Sequence, residues 1–406
     1  MNIFRDKKTH INIATIGHFN HGKTTLSAAI AMTLANKKYR LDKKSIKVTL
    51  EEKNQGIGIY THHFQYETTL RHYSHTDCPG HTDYINNMIA GISQVDSTIL
   101  VVSAVDGSMS QTKEHLLIAK LLGISSFIVF INKEDQLDDD KFVYLVQKEI
   151  SQFLMSHGFQ TNKIPIVSGS ALLALETLIQ QPNVLRGENY WVDKIYTLIE
   201  LLDSYIPKPK RKKDKHFLMW IDSVKFLPNI GPIAMGRIEQ GTIKVGEFID
   251  IVGFRETRTA KIISLEFFNQ SCMQVLAGDD IGVSIEGTKN HNDIKKGMII
   301  STPGTIKSWL EFEAQVYILK REEGGRTSPF FKGYCPQFFF KTTCVTGRIE
   351  AIEYTTGSKT WMIMPGDKLK IQVNLVYPIG IKKRMRFLIR EGGVLVGVGI
   401  ISNLIK

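Results

Sequence analysis

The stretch INIATIGHFNHGKTTLSAAIAMTL, Ile11–Leu34, changes period half-way along, and that change decides the fold. INIATIG is a short β-branched run of strand length, and Thr24–Leu34 is a helical stretch. Between them GHFNHGKT, Gly17–Thr24, fits G-x-x-x-x-G-K-[ST]. Its two glycines, Gly17 and Gly22, let the backbone curl so that N–H groups and the helix dipole face a phosphate chain. Lys23 would reach the β- and γ-phosphates, and the Thr24 hydroxyl would sit on Mg²⁺. His18, Phe19, Asn20 and His21 complete the loop expected to line the nucleotide. The strand–loop–helix setting gives the pattern its weight, because the bare pattern recurs by chance.

Downstream the same alternation continues. STILVVSAV, SSFIVFIN and KIPIVSGSA are strand-like runs, and Gln111–Leu122 and Asp140–His157 are helical. An α/β domain with a largely parallel sheet is predicted. NKED, Asn132–Asp135, directly follows FIVFI. A carboxylate at Asp135 accepts both N1–H and the exocyclic N–H of guanine, whereas adenine offers an acceptor at N1 and leaves it unpaired. Asn132 supports the loop, the Lys133 stem covers the base, and Glu134 lies in the same turn. The small residues of SGSAL, with Ser170, Ala171 and Leu172, let a backbone N–H approach the guanine oxygen. Together these predict GTP and GDP over ATP.

DCPGH, Asp77–His81, lies between these motifs. Asp77 ends the strand RHYSHTD and can hold Mg²⁺ through water, with Cys78 and Pro79 carrying the chain past the phosphates. Gly80 supplies a backbone N–H for the γ-phosphate and a pivot for change on hydrolysis. His81 is placed to orient the attacking water, the catalytic role.

The 406 residues hold 51 Lys and Arg against 40 Asp and Glu, a net charge of +11. Hydrophobic residues at 43% and charged residues at 22% exclude a disordered basic tail. No apolar run reaches the ~18 residues of a membrane helix, so no membrane partner is expected. Four cysteines without zinc spacing read as free thiols in a reducing compartment. The first ten residues carry no apolar signal core. Residues 1–206 hold 20 basic and 21 acidic side chains, net −1, and residues 207–406 hold 31 and 19, net +12. At the seam PKPKRKKDK, Pro207–Lys215, six of nine side chains are cationic and two prolines stiffen the segment, which reads as a basic linker. Beyond it, Gly and Pro recur among short alternating strands such as GRIEQGTIKVGEFIDIV and KLKIQVNLV, the pattern of one or two β-barrels. Pro303–Gly304 marks a turn and a domain boundary.

The ordered motifs GHFNHGKT, EEKNQGIGI, DCPGHTDY, NKED and GSAL, followed by GRIEQGTIKVGE, EEGGRTSPFFKGY and REGGVLVG, resemble the elongation factor Tu family over nearly the whole chain. NVLRGENYWVDKIYTL resembles its cyanobacterial and plastid branch. The resemblance implies an α/β P-loop GTPase domain, 1–206, then the linker 207–215, and two antiparallel β-barrel domains, 216–303 and 304–406. These would hold the aminoacyl end of tRNA and its T stem, the last also meeting the exchange factor. It implies a monomer that delivers aminoacyl-tRNA to the ribosomal A site with ribosome-stimulated GTP hydrolysis and is recharged by elongation factor Ts. His63 is then expected near the aminoacyl pocket, Glu266 near the terminal adenosine, and Asn87 and Arg326 near the tRNA 5′ end. The branch, with no transit peptide, implies an organelle-encoded chloroplast protein of the stroma; a bacterial cytoplasm is the alternative. Ending after the second barrel disfavours selenocysteine-specific and initiation factors.

Several positions depart from the family pattern. Gly58 stands where the family has a Mg²⁺-binding Thr in its first switch, so the contrast between GTP and GDP states is expected to shrink. Asn20 replaces an Asp, and Phe19 replaces a Val at the gate that it shares with Ile57, where a bulkier ring is expected to slow His81. Lys225 stands where the second domain has an aromatic. Asn86, Cys335 and Val394 replace cationic residues and Cys344 an Asp, which implies looser orientation on RNA. These departures define an alternative: a GTP- and tRNA-binding relic with an impaired switch.

Overall fold

The computed structural model describes residues 8–35, 62–81, 84–107, 109–156, 158–227, 231–267, 270–288, 290, 293–354 and 357–405. Gly58 and Ile57, and with them the first-switch expectations, lie outside these residues. The chain divides into two compact units that part between Lys210 and Arg211.

In the first unit, β1 (Thr9–Ile16), β3 (Arg71–Asp77), β4 (Ser97–Ser103), β5 (Phe127–Asn132) and β6 (Ile166–Ser168) run parallel. The sheet order is β2-β3-β1-β4-β5-β6, and β2 (His62–Glu67) pairs antiparallel with β3. The sheet is thus largely parallel, as expected, with one antiparallel edge strand. β4 and β5 are buried along their whole length, as strands covered on both faces must be. Around them lie α1 (Lys23–Ala35), α2 (Ile85–Ile92), α3 (Ser110–Leu122), α4 (Asp140–Ser156), α5 (Ala171–Gln180) and α6 (Tyr190–Tyr205). α1 is apolar nearly all round, and Leu26, Ala28, Ala29, Ile30 and Ala31 are fully buried against β-strand, α5 and α6 residues. This packing anchors the loop that precedes α1. α3 stops at Gly123, whose φ of 90° closes the helix in the left-handed region.

The second unit contains two closed barrels. β7 (Leu218–Leu227), β8 (Gly231–Gln240), β9 (Phe248–Val252), β10 (Arg258–Phe267), β11 (Asp280–Ile285) and β12 (Ile299–Ser301) close in the order β7-β8-β11-β10-β9-β12. All of these pairings are antiparallel. Met219, Ile221, Ile249, Leu265, Val283 and Ile300 fill the interior. The second barrel is formed by β13 (Ser308–Ile318), β14 (Gln337–Phe340), β15 (Thr343–Tyr354), β16 (Lys368–Gly380), β17 (Arg386–Glu391) and β18 (Val394–Leu404). It closes antiparallel as β13-β16-β15-β14-β17-β18. Phe312 sits at its centre, edge-on to Phe338, Phe340 and Phe387 at 5.6–6.1 Å. The two barrels join through Thr343 Oγ1, which donates to Gly297 O at 2.6 Å, and through Lys382 Nζ to Glu239 Oε1 at 2.7 Å.

The basic run is only partly a tether. Lys212 bridges Gln240 in parallel and its carbonyl accepts from Gly241 N–H at 2.8 Å, so the run's later residues lie along the first barrel. The backbone of Lys212 is paired while the lysine side chains of the run stay exposed.

Candidate functional site

The loop between β1 and α1 is held by glycine geometry. Gly22 has φ +88°, and a Cβ there would stand 2.1 Å from Asn132 Nδ2. That approach lets the Asn132 amide donate to His21 O at 2.9 Å, while its Oδ1 accepts from Ala171 N–H at 2.9 Å. One buried side chain thus ties the phosphate-type loop, the NKED turn and the SGSAL turn together. Asp106 adds a second tie, with Oδ2 3.5 Å from Lys133 Nζ and 4.0 Å from His21 Nε2. Lys133 takes the left-handed conformation, φ 65°, as it turns from β5 into the short helix Glu134–Gln136. Asp135 is exposed on that helix. Glu134, in the same turn, accepts through Oε1 from the Tyr190 hydroxyl on α6 at 3.1 Å. Ser170 caps α5 by accepting from Leu173 N–H at 3.2 Å.

On the phosphate side Lys23 is buried, and its ammonium donates to His18 O at 2.7 Å inside the loop. Burial pushes its pKa down to about 8, opposed by the Asp77 carboxylate and Cys78. A Cβ at Gly80 would meet Lys23 Nζ at 2.2 Å and Phe19 N at 2.7 Å, so only glycine lets the 77–81 segment lie this close to the loop. Asp77 is gripped by two hydroxyls: Thr15 Oγ1 donates to Oδ1 at 2.6 Å and Thr24 Oγ1 to Oδ2 at 2.5 Å. Cys78 is buried and its thiol is pushed well above the usual range, mainly by burial and then by Asp77, so it is not a nucleophile here.

His81 is exposed, and its ring meets Phe19 edge-on at 5.8 Å and Tyr84 at 6.1 Å. The bulkier gate residue identified in the sequence therefore touches the histidine itself. His18 is held below its ordinary pKa by burial and then by Lys23. His21 is fully buried and pushed down to about 4, mainly by burial, while a contact from Nδ1 to Val101 O at 3.4 Å opposes the shift. His75 is likewise buried and pushed down to about 3 by burial and then by His63.

Sequence reasoning missed several residues. His115 Nδ1 accepts from Gly17 N–H at 3.2 Å, and Gln111 Oε1 accepts from Phe19 N–H at 3.4 Å. They are four residues apart on α3, so helical spacing already places both on one face. Thr15, Ser27, His75 and Asp106 carried no motif signal.

Of the expected RNA-facing residues, His63 is exposed on β2, with Nδ1 3.4 Å from Thr76 Oγ1, and Asn87 is half-buried on α2. Both belong to the first unit. In the second unit Glu266 is half-buried on β10 opposite Gly282. Arg326 donates to Tyr334 Oη at 2.9 Å, Glu391 Oε2 at 2.8 Å and Ser328 Oγ at 3.1 Å, and stacks over Phe330. Its guanidinium is thus fixed in place by the second barrel. Arg390 is buried and donates to Gly393 O.

Three family models match in chain order: the elongation factor Tu GTP binding domain over residues 8–208, elongation factor Tu domain 2 over 231–301, and the elongation factor Tu C-terminal domain over 305–405. The chain belongs to the elongation factor Tu family. It is 57% identical over 405 residues to the chloroplastic elongation factor Tu of Coleochaete orbicularis, covering 99% of this chain and 97% of the relative. Membership makes it a guanine-nucleotide-binding GTP hydrolase that delivers aminoacyl-tRNA to the ribosome in translation elongation. The net +12 of residues 207–406 suits the polyanion that the family carries.

Proposed function

We propose that this chain hydrolyses GTP with Mg²⁺ held between Thr24, Asp77 and the nucleotide, and with His81 orienting the attacking water. The observation that carries this reading is the meeting of two hard oxygen donors, Thr24 Oγ1 and Asp77 Oδ2, beside the buried Lys23. Hydroxyl and carboxylate oxygens are the donors Mg²⁺ takes, and no cluster of three His, Cys, Asp or Glu competes for it among the described residues. Bound there, Mg²⁺ would neutralise charge on the β- and γ-phosphates. Lys23, itself buried, adds a second fixed charge beside the phosphates. The loop residues Gly17–Thr24 and segment 77–81 bind the phosphates; Asn132–Asp135 and Ser170–Leu172 bind the base.

His63, Asn87, Glu266 and Arg326 would contact tRNA, the first barrel taking the aminoacyl end and the second the T stem and elongation factor Ts. The chain acts as a monomer, consistent with barrels that close on themselves. It works in the chloroplast, a reading supported by its chloroplastic relative, and there in the stroma from an organelle gene, which rests on the branch resemblance of the sequence alone. The test is GTP cleavage on ribosomes programmed with a cognate codon. Ribosomes should accelerate it, and His81→Ala should remove most of the gain; full stimulation of that variant would sink the role of His81.

A further inference from the structure

A line of buried polar groups runs from β2 to the carboxylate of Asp77. Tyr66 Oη lies 2.9 Å from His75 Nδ1, His75 Nε2 lies 3.3 Å from Ser27 Oγ, and Ser27 Oγ lies 3.3 Å from Thr15 Oγ1. Thr15 Oγ1 then reaches Asp77 Oδ1 at 2.6 Å. Tyr66, His75, Ser27, Thr15 and Asp77 are all at most 4% exposed. Proton counting fixes the direction. A carboxylate only accepts, so Thr15 must donate to Asp77, which uses its single hydroxyl proton. The Ser27–Thr15 contact therefore has Ser27 as donor, its one proton shared with Lys23 O at 3.0 Å. Ser27 has no proton left, so His75 Nε2 must be the N–H that it accepts from. The neutral ring then has a bare Nδ1, which accepts from the Tyr66 hydroxyl.

We infer that Tyr66, His75, Ser27 and Thr15 form a one-way donor relay that orients Asp77, and that His75 is a positioning residue for Mg²⁺-dependent nucleotide retention. The inference rests on the reading of Thr24 and Asp77 as the metal side of the site. The Ser27 proton divides between Lys23 O and Thr15 Oγ1, the other donors of the relay point toward Oδ1, and Oδ2, which accepts from Thr24, would be left to serve Mg²⁺ when it is bound. Groups that orient a metal ligand from behind are worth about 10–100-fold in metal affinity. β2 enters the relay through Tyr66, so a movement of that strand would be felt at Asp77 without touching the nucleotide.

Two measurements on the full chain test this. Nitrogen NMR of histidine-labelled protein, with the His75 signal assigned by its loss in His75→Gln, should show Nε2 protonated and Nδ1 bare; the opposite tautomer overturns the relay. Release of a fluorescent GDP is then followed across a Mg²⁺ titration and in chelator. Ser27→Ala and His75→Phe should raise the Mg²⁺ midpoint about tenfold, with chelator-side affinity within about twofold, and His75→Gln, which keeps a donor and an acceptor, should recover most of it. An unchanged midpoint, or an equal loss of affinity in chelator, overturns the inference. Tyr66→Phe, which removes a single hydroxyl, provides the same readout if His75→Phe does not fold. Wild-type protein whose GDP release ignores Mg²⁺ would instead overturn the metal reading, and the relay with it.

Discussion

Gly22 and Asn132 should be energetically coupled, and a double-mutant cycle measures by how much. In Gly22→Ala the new Cβ would stand 2.1 Å from Asn132 Nδ2, and the residue would have to hold φ +88°. The conformation alone costs about 1–2 kcal/mol for an L side chain. Displacing the amide also breaks its bonds to His21 O and Ala171 N–H, both 2.9 Å. Leaving such buried partners unsatisfied costs about 1–3 kcal/mol each. Asn132→Ala alone loses the same two bonds and should cost about 2–4 kcal/mol. Once the amide is gone, Gly22→Ala retains only its backbone strain. The double variant should therefore fall short of the summed single costs by the worth of those two bonds, about 2–4 kcal/mol. GDP affinity by fluorescence titration, with urea unfolding as the stability partner, reads the cycle. Additivity within about 0.5 kcal/mol would show that the two residues do not meet as described.

Two further outcomes follow from the same geometry. Phe19→Val should remove the edge contact with His81 and raise ribosome-stimulated GTP cleavage about two- to tenfold, the worth of one aromatic pair; a slower variant would contradict the gate. His21 is depressed to about 4 in the fold against 6.5 unfolded, so the unfolded state binds the extra proton. Its stabilising share is complete above pH 6.5 and is lost as pH falls toward 4, about 2 kcal/mol by pH 5. Urea midpoints of wild type and His21→Gln at pH 7.5 and pH 5 check this, the variant being the less pH-sensitive.

How much was legible depends on where the partners of each residue stand. GHFNHGKT, DCPGH and NKED each form one local turn, so their contiguous residues announce the site. The strands β4 and β5 were readable because burial on both faces leaves unbroken apolar runs. Asn132 was readable as a loop support, but its bond to His21 spans 111 positions and no local pattern encodes it. Ser27 and His75, 48 positions apart, looked like ordinary core polar residues until the fold brought them together. The bond of Glu134 to Tyr190 on α6 spans 56 positions and no local pattern encodes it. The charge of the basic run agrees with its exposed lysines, but the backbone bridge from Lys212 to Gln240 has no signal in the run itself. Arg326 was readable only as a cation; its bonds to Tyr334, Glu391 and Ser328, which set where the guanidinium stands, come from the fold.

The central claim is a nucleotide-controlled carrier of aminoacyl-tRNA. Its most direct test is aminoacyl-tRNA binding with a non-hydrolysable GTP analogue against GDP, repeated across a salt series. The GTP-analogue form should bind at least tenfold more tightly at every salt concentration, with both forms weakening as salt rises. Equal affinity in the two nucleotide states would contradict the account and leave a GTP- and tRNA-binding protein without a working switch.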